Sequence, residues 1–308
     1  MNQQFLTELK AVTAENRIFT DEPMKKHTTF RVGGPADVLI QPKRAELASV
    51  IRLCREYDIP YQVIGNGSNL LVGDRGIRGA VIEMLSKKDE ICVEDDCITV
   101  GAGMLLSKTA NCAAEHGLTG MEFAAGIPGS IGGAVVMNAG AYGGEMKDIL
   151  TAVTVLDKDG NEKKLTVEEL ELGYRTSCIL KKGYIVTEAK MKLLHGEEKK
   201  IRARMDELKK QRVEKQPLEF PSAGSTFKRP EGYFAGKLIQ DAGLKGYTVG
   251  GAQVSEKHSG FVINRGGATA EEVVFLIKQV QKKVMKQFNV MMQPEVRFIG
   301  FTDTEVRE

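Results

Sequence analysis

Glycine sets the first constraint on this chain. Most of its 33 glycines are bunched, near 65–79, 101–103, 126–144, 243–251 and 266–267, and each bunch stands between apolar segments. Without a Cβ, glycine takes positive φ freely and lets a backbone approach a ligand closely. The bunches therefore read as loop devices held between regular elements. At 308 residues the chain is also too long for one ordinary core, so two or three packed units are expected.

Between the bunches the apolar pattern is legible. Asp37 to Gln41 reads as a strand, Lys43 to Tyr57 as a helix with Leu47, Val50, Ile51 and Cys54 on one face, and Tyr61 to Ile64 as a strand running into Gly65. A glycine loop at the end of such a strand is where α/β units bind ligands. Short strands follow at Val81–Met84, Ile91–Val93 and Ile98–Val100, then a helix from Leu105 to His116 stopped by Gly117. Strands at Thr151–Leu156, Glu162–Thr166 and Tyr184–Lys192 lead to a highly charged helix from Glu197 to Lys215. Its thin stripe of Ile201, Met205 and Leu208 marks a solvated linker helix, and Pro217 and Pro221 end it at the clearest domain boundary. Beyond lie a short helix near Lys237–Ala242, a strand at Val262–Asn264 and a capping box at Thr269–Glu272 that opens a helix to about Gln287. Pro294 to Phe298 closes the chain as a strand.

Composition removes several function classes. With 43 basic and 41 acidic residues the net charge is +2, which argues against binding nucleic acid through bulk charge. The start is polar and no long apolar run follows, so a cytosolic protein without membrane attachment is expected. Cys54, Cys92, Cys97, Cys112 and Cys178 are scattered without a CxxC pair, as are the four histidines, so no metal is expected.

Two loops carry chemistry. Gly65-Asn66-Gly67-Ser68-Asn69 lacks the third glycine of a dinucleotide fingerprint, and no GxxxxGK[ST] occurs. It offers several N–H groups, two amides and a hydroxyl in one turn, which suits a pyrophosphate as well as it suits a plain turn. Gly126-Ile127-Pro128-Gly129-Ser130-Ile131-Gly132-Gly133 precedes an apolar helix start and then Asn138-Ala139-Gly140. Such a stretch presents N–H groups and a positive dipole end to phosphate, or else lets two backbones pack closely.

The succession GNGSN, GIPGSIGG with NAGAYG, Gly173-Tyr174-Arg175-Thr176-Ser177, AGSTFKRP and PEVRF resembles the UDP-N-acetylenolpyruvoylglucosamine reductase family, from His27 to Arg297. The compact last third, with no long insertion after Gly243, resembles the shorter of its two subtypes. The resemblance implies an α+β fold, with a two-lobed FAD-binding domain of the vanillyl-alcohol-oxidase (PCMH) type and a C-terminal α/β substrate-binding domain. The parts would be 1–85 as the first lobe, completed by 294–308, 86–196 as the second, 197–215 as linker and 216–293 as substrate domain. It implies non-covalent FAD on Gly65, Asn66, Gly67, Ser68, Asn69, Gly126, Ile127, Pro128, Gly129, Ser130, Gly132, Gly133, Asn138, Ala139 and Gly140. No histidine lies in 65–69 or 126–142 to tether it.

The same resemblance implies NADPH as hydride donor, a UDP-sugar as substrate and peptidoglycan precursor synthesis as the role; a monomer is expected. Arg175, Ser225 and Glu295 take the catalytic positions, and Tyr174, Lys215, Lys228 and Arg229 the substrate-binding ones. Hydride would reach the methylene carbon of an enolpyruvyl ether. The negative charge that then develops toward the carboxylate suits a fixed guanidinium, Arg175. The neighbouring carbon needs a proton from a defined face, and Ser225 is placed as its donor. Two other readings compete: an FAD oxidase of the same superfamily acting on a small alcohol, and a non-catalytic nucleotide-binding module.

Overall fold

The computed structural model describes residues 2–84, 91–302 and 305. The expected lobe boundary between 85 and 86 falls outside them. Contacts divide the chain into two units, one of 1–19, 38–66 and 79–212, the other of 20–37, 67–78 and 213–308.

The first unit holds two cores. Strands Ile18–Pro23, Pro35–Ile40, Ile77–Glu83 and Tyr61–Ile64 hydrogen-bond in that order, the last two in parallel with Tyr61 opposite Ala80. Helix Arg44–Glu56 lays Leu47, Val50, Ile51 and Cys54 on Val38, Ile40, Ala80 and Ile82, joined by Phe5 and Leu9 of helix Gln3–Val12. Sinking one such Leu or Ile fully contributes about 1.5–3 kcal/mol. The second core lies on an antiparallel sheet in the order Glu162–Thr166, Leu150–Leu156, Ile185–Lys192, Cys97–Gly101, Ile91–Glu94. Val153 faces Ala189, and Ala189 faces Val100. Helices Leu106–Glu115 and Ile131–Val136 cover it through Leu106, Ala110, Ile131 and Val135. The charged helix Glu198–Lys215 contributes its stripe: Ile201 and Leu208 are buried, and Met205 packs on this core.

The hairpin turn 157–161 of this sheet is organised by Asp157, which accepts from the backbone N–H of Asp159 at 2.9 Å and of Asn161 at 3.0 Å, with Lys163 Nζ 3.2 Å away. These donors, the Asn161 N–H foremost, lower its carboxyl from 3.8 to about 2. A carboxyl depressed on folding stabilises the fold in full above 3.8 and loses that contribution as pH falls toward 2. Asp157→Asn is thus expected to flatten the decline of Tm with acidification across that window, measured by thermal melts against pH; a variant whose Tm falls as steeply as wild type would count against the assignment.

In the second unit, helix Ala270–Phe288 buries Val273, Leu276, Ile277, Val280 and Val284 against the antiparallel strands Thr248–Val249, Ala252–Val254 and Val262–Asn264. Strand Arg297–Ile299 runs parallel to Leu70–Val72, Arg297 opposite Leu70, which is why 67–78 belongs to this unit. Phe30, Val32 and Leu71 enter the same core. The predicted capping box forms: Thr269 Oγ1 accepts from Glu272 N–H at 3.1 Å, and Glu272 accepts from Thr269 N–H at 3.0 Å. Asp74 completes the cap by accepting from Ala270 and Glu271 N–H at 2.8 and 3.0 Å. The segment 73–76 is thereby fastened to the start of the unit's longest helix.

Candidate active site

In the first unit the two glycine loops meet. Ser130 caps helix Ile131–Val136, its Oγ accepting from Gly133 N–H at 3.4 Å. A Cβ on Gly65 would lie 2.0 Å from that same Oγ, so this approach requires glycine. Asn66 Nδ2 donates to the Pro128 carbonyl at 2.6 Å. Gly132 packs as closely, since a Cβ there would stand 3.0 Å from that of Ala102.

The helix start itself is not the anion site that the sequence suggests. Ile131 N–H donates to Met104 O at 2.8 Å and Gly132 N–H to Ala102 O at 2.7 Å, so with the Ser130 cap the first turn is satisfied within the protein. The helix has only six residues. The unsatisfied donors lie ahead of it. Among the described residues no acceptor meets the N–H of Gly126, Gly129 or Ser130, nor that of Gly65, Asn66, Gly67, Ser68 or Asn69. Ile127 N–H, by contrast, is held by Ala124 O at 3.0 Å and Ala139 N–H by Ala134 O at 2.8 Å.

Rows of unsatisfied N–H groups on glycine-rich backbone fit the charged oxygens of a pyrophosphate. A cation that sequence reasoning missed stands beside them. Arg212 brings Cδ and Nη1 to 3.2 Å from where a Gly126 Cβ would be, and among the described residues it has no carboxylate partner. Burial lowers its pKa, with nearby Tyr142 opposing. Nothing in the sequence distinguishes Arg212 from the other cations of its charged helix. Within this unit the unsatisfied donors of Gly65, Asn66, Gly126, Gly129 and Ser130 therefore fit the pyrophosphate of FAD.

Asn138 has a different part from the cofactor contact expected of it. Fully buried with φ 41°, it donates through Nδ2 to Glu145 at 2.9 Å and to Gly173 O at 3.2 Å, and accepts at Oδ1 from Lys147 N–H at 2.9 Å. With its amide satisfied by protein, it braces the turn that carries Tyr174 and Arg175. Arg175 sits at φ 54°, a left-handed conformation that costs a non-glycine residue about 1–3 kcal/mol. Its Nη2 donates to Gly140 O at 3.1 Å, and its guanidinium lies 5.2 Å from the ring centroid of half-exposed Tyr174. Arg175 is thus in contact with both Gly140 and Tyr174.

In the second unit, backbone pairing joins Thr226, the neighbour of Ser225, to Glu295. Glu295 N–H donates to Thr226 O at 2.8 Å, Phe227 bridges Pro294, and Lys228 N–H donates to Gln293 O at 2.8 Å. Thr226 is further clamped by Gly260 O, which accepts its N–H at 2.9 Å, and by Val262 N–H, which donates to its Oγ1 at 2.9 Å. His258, given no role from sequence, accepts at Nδ1 from Gly260 N–H at 3.1 Å, and burial lowers its pKa, so the neutral ring holds the turn behind Ser225. Asn69 Nδ2 donates to Glu295 O at 3.1 Å, an anchor for the first glycine loop on this unit. Arg229 stacks on Phe234 with its guanidinium 4.1 Å from the ring centroid, and Lys215 ends the charged helix.

Comparison with known proteins gives the family. Residues 35–166 match the model of an FAD binding domain, and residues 216–299 match the C-terminal domain of UDP-N-acetylenolpyruvoylglucosamine reductase. The chain is 55% identical to proteins of that name from Agathobacter rectalis and from Clostridium perfringens, each over 97% of this chain and 99% of the relative. The crystal structure of the reductase from Thermus caldophilus superposes with a TM-score of 0.77 at 39% identity, covering 92% of this chain and 98% of that one. The α+β chain, an FAD binding domain joined to the family's own C-terminal domain, belongs to the UDP-N-acetylenolpyruvoylglucosamine reductase family.

Proposed function

We propose that this chain reduces UDP-N-acetyl-3-O-(1-carboxyvinyl)glucosamine to UDP-N-acetylmuramate with NADPH, acting as a monomer in the cytoplasm to supply a precursor for peptidoglycan and so for cell shape and division. The likeness over 97% of the chain carries the reading. Bound FAD would supply hydride carriage between reduced nicotinamide and the vinyl carbon. The chain's own residues do the rest. Arg175, held in a strained turn by Gly140 O, presents a permanent charge to the substrate carboxylate as negative charge builds there. Ser225, fixed by the clamped Thr226 and beside Glu295, delivers the proton to the adjacent carbon. Lys215 and Lys228 supply cations for the diphosphate, and Arg229 binds the nucleotide part of the same substrate.

NADPH oxidation that depends on the enolpyruvyl nucleotide, without peroxide formation, is the expected result in steady state. Peroxide production independent of that nucleotide would favour the oxidase reading instead. Arg175→Lys keeps the charge and loses the fork; its kcat on the enolpyruvyl nucleotide is expected to fall by about 10²-fold or more, with reduction by NADPH little changed. Unaltered kcat would remove Arg175 from the reacting carboxylate.

A further inference from the structure

The segment 229–234 holds two adjacent aromatic rings in water: Tyr233 is 45% exposed and Phe234 62%. Single exposed apolar residues are ordinary, but these are held in place. Tyr233 N–H donates to Pro230 O at 3.1 Å, closing a turn that passes through Gly232 at φ 74°. Arg229 Nε donates back to Tyr233 O at 3.2 Å, and the same guanidinium lies 4.1 Å from the Phe234 centroid. The base of the loop is fastened where Lys228 N–H meets Gln293 O, next to the pairing that joins Thr226 to Glu295. The result is an arginine–phenylalanine pair tied at its base to the segment that carries the proposed proton donor.

We infer that Phe234, with Arg229 stacked on it, is the platform for the nucleobase of the nucleotide-sugar substrate. A nucleobase offers a π face of the right size, and bases stack on aromatic rings and on guanidinium planes with little demand on geometry. The inference rests on the proposed substrate. Uracil is the base committed to, because the stack is continuous with the segment bearing Ser225, where the substrate's reacting end is placed. The adenine of NADPH and a second copy of this chain are the competitors.

The test uses the FAD-loaded enzyme. Phe234→Ala is expected to raise KM for the enolpyruvyl nucleotide roughly 5- to 150-fold, the equivalent of one lost base–aromatic stack, with kcat, KM for NADPH and flavin content unchanged. UDP should bind the variant more weakly by a similar factor, and N-acetylglucosamine 1-phosphate, which lacks the base, should bind as it does to wild type. Phe234→Leu keeps the apolar bulk without the π face and should share the defect, whereas Phe234→Tyr should restore binding. Unchanged UDP affinity in the alanine and leucine variants would overturn the inference. So would a defect confined to NADPH, or a change in solution size in place of a UDP defect. If wild type bound UDP through Phe234 but did not reduce the enolpyruvyl nucleotide, the stacking inference would stand and the proposed reaction would fail.

Discussion

Ser225→Ala is expected to be reduced by NADPH at close to the wild-type rate and to lose about 10²–10⁴-fold in reoxidation by the enolpyruvyl nucleotide. Hydride transfer from nicotinamide needs no proton from this hydroxyl, whereas completing the product requires one at the carbon beside the carboxylate. The scaffold around residue 225 does not depend on the side chain. Thr226 is held on three sides, by Gly260 O, by Val262 N–H and by Glu295 N–H, so alanine removes the proton and leaves the backbone where it was. Ser225→Cys should recover part of the loss, since a thiol is a competent donor of different size. Stopped-flow absorbance separates the two half-reactions. Equal slowing of both would make the serine a positioning residue and pass the proton to another group, Glu295 first.

Gly67→Val should yield protein that folds but retains little FAD. Gly67 sits at φ 59°, and a Cβ there would stand 2.1 Å from His27 O and 2.8 Å from Thr28 Cα. A branched side chain therefore has to reopen the turn in which residues 65–69 leave their N–H groups unsatisfied. A hydrogen bond to a charged group contributes about 1.5–3 kcal/mol, so losing two weakens FAD binding on the order of 10²-fold or more. Flavin-to-protein ratio after gel filtration measures it, with circular dichroism as the check on folding. Gly129→Glu, which sets a carboxylate beside another unsatisfied N–H, should fail in the same way. Full flavin content in both variants would misplace the phosphate loops.

Much of this site was legible from residue patterns because its parts are local. The strand Tyr61–Ile64, the capping box at Thr269 and the glycine loops are written in consecutive residues, whereas the parts given to Ser225, Arg175 and Glu295 came from the family resemblance of the short motifs that hold them. What could not be read depends on distant pairing. The grouping of 67–78 with the C-terminal third follows from Leu70 facing Arg297, more than two hundred positions apart. The brace formed by Asn138 likewise needs Gly173, and the place of Arg212 beside Gly126 needs the charged helix to return to the loop. The helix-start reading of Ile131–Val136 went astray for the same reason: Ala102 and Met104, remote in sequence, take the donors of the glycine-rich start. Strands Ile18–Pro23 and Leu70–Val72 carry too few residues of clear alternation to stand out.

In the proposed reaction one bound flavin carries hydride from NADPH to an enolpyruvyl nucleotide. The visible spectrum of the purified protein under anaerobic conditions reads both transfers. A yellow protein is expected that releases intact FAD on denaturation, bleaches with one equivalent of NADPH, and regains its colour on adding UDP-N-acetyl-3-O-(1-carboxyvinyl)glucosamine, with UDP-N-acetylmuramate formed in equal amount. A colourless protein, or a bleached flavin that this nucleotide leaves reduced, would contradict it.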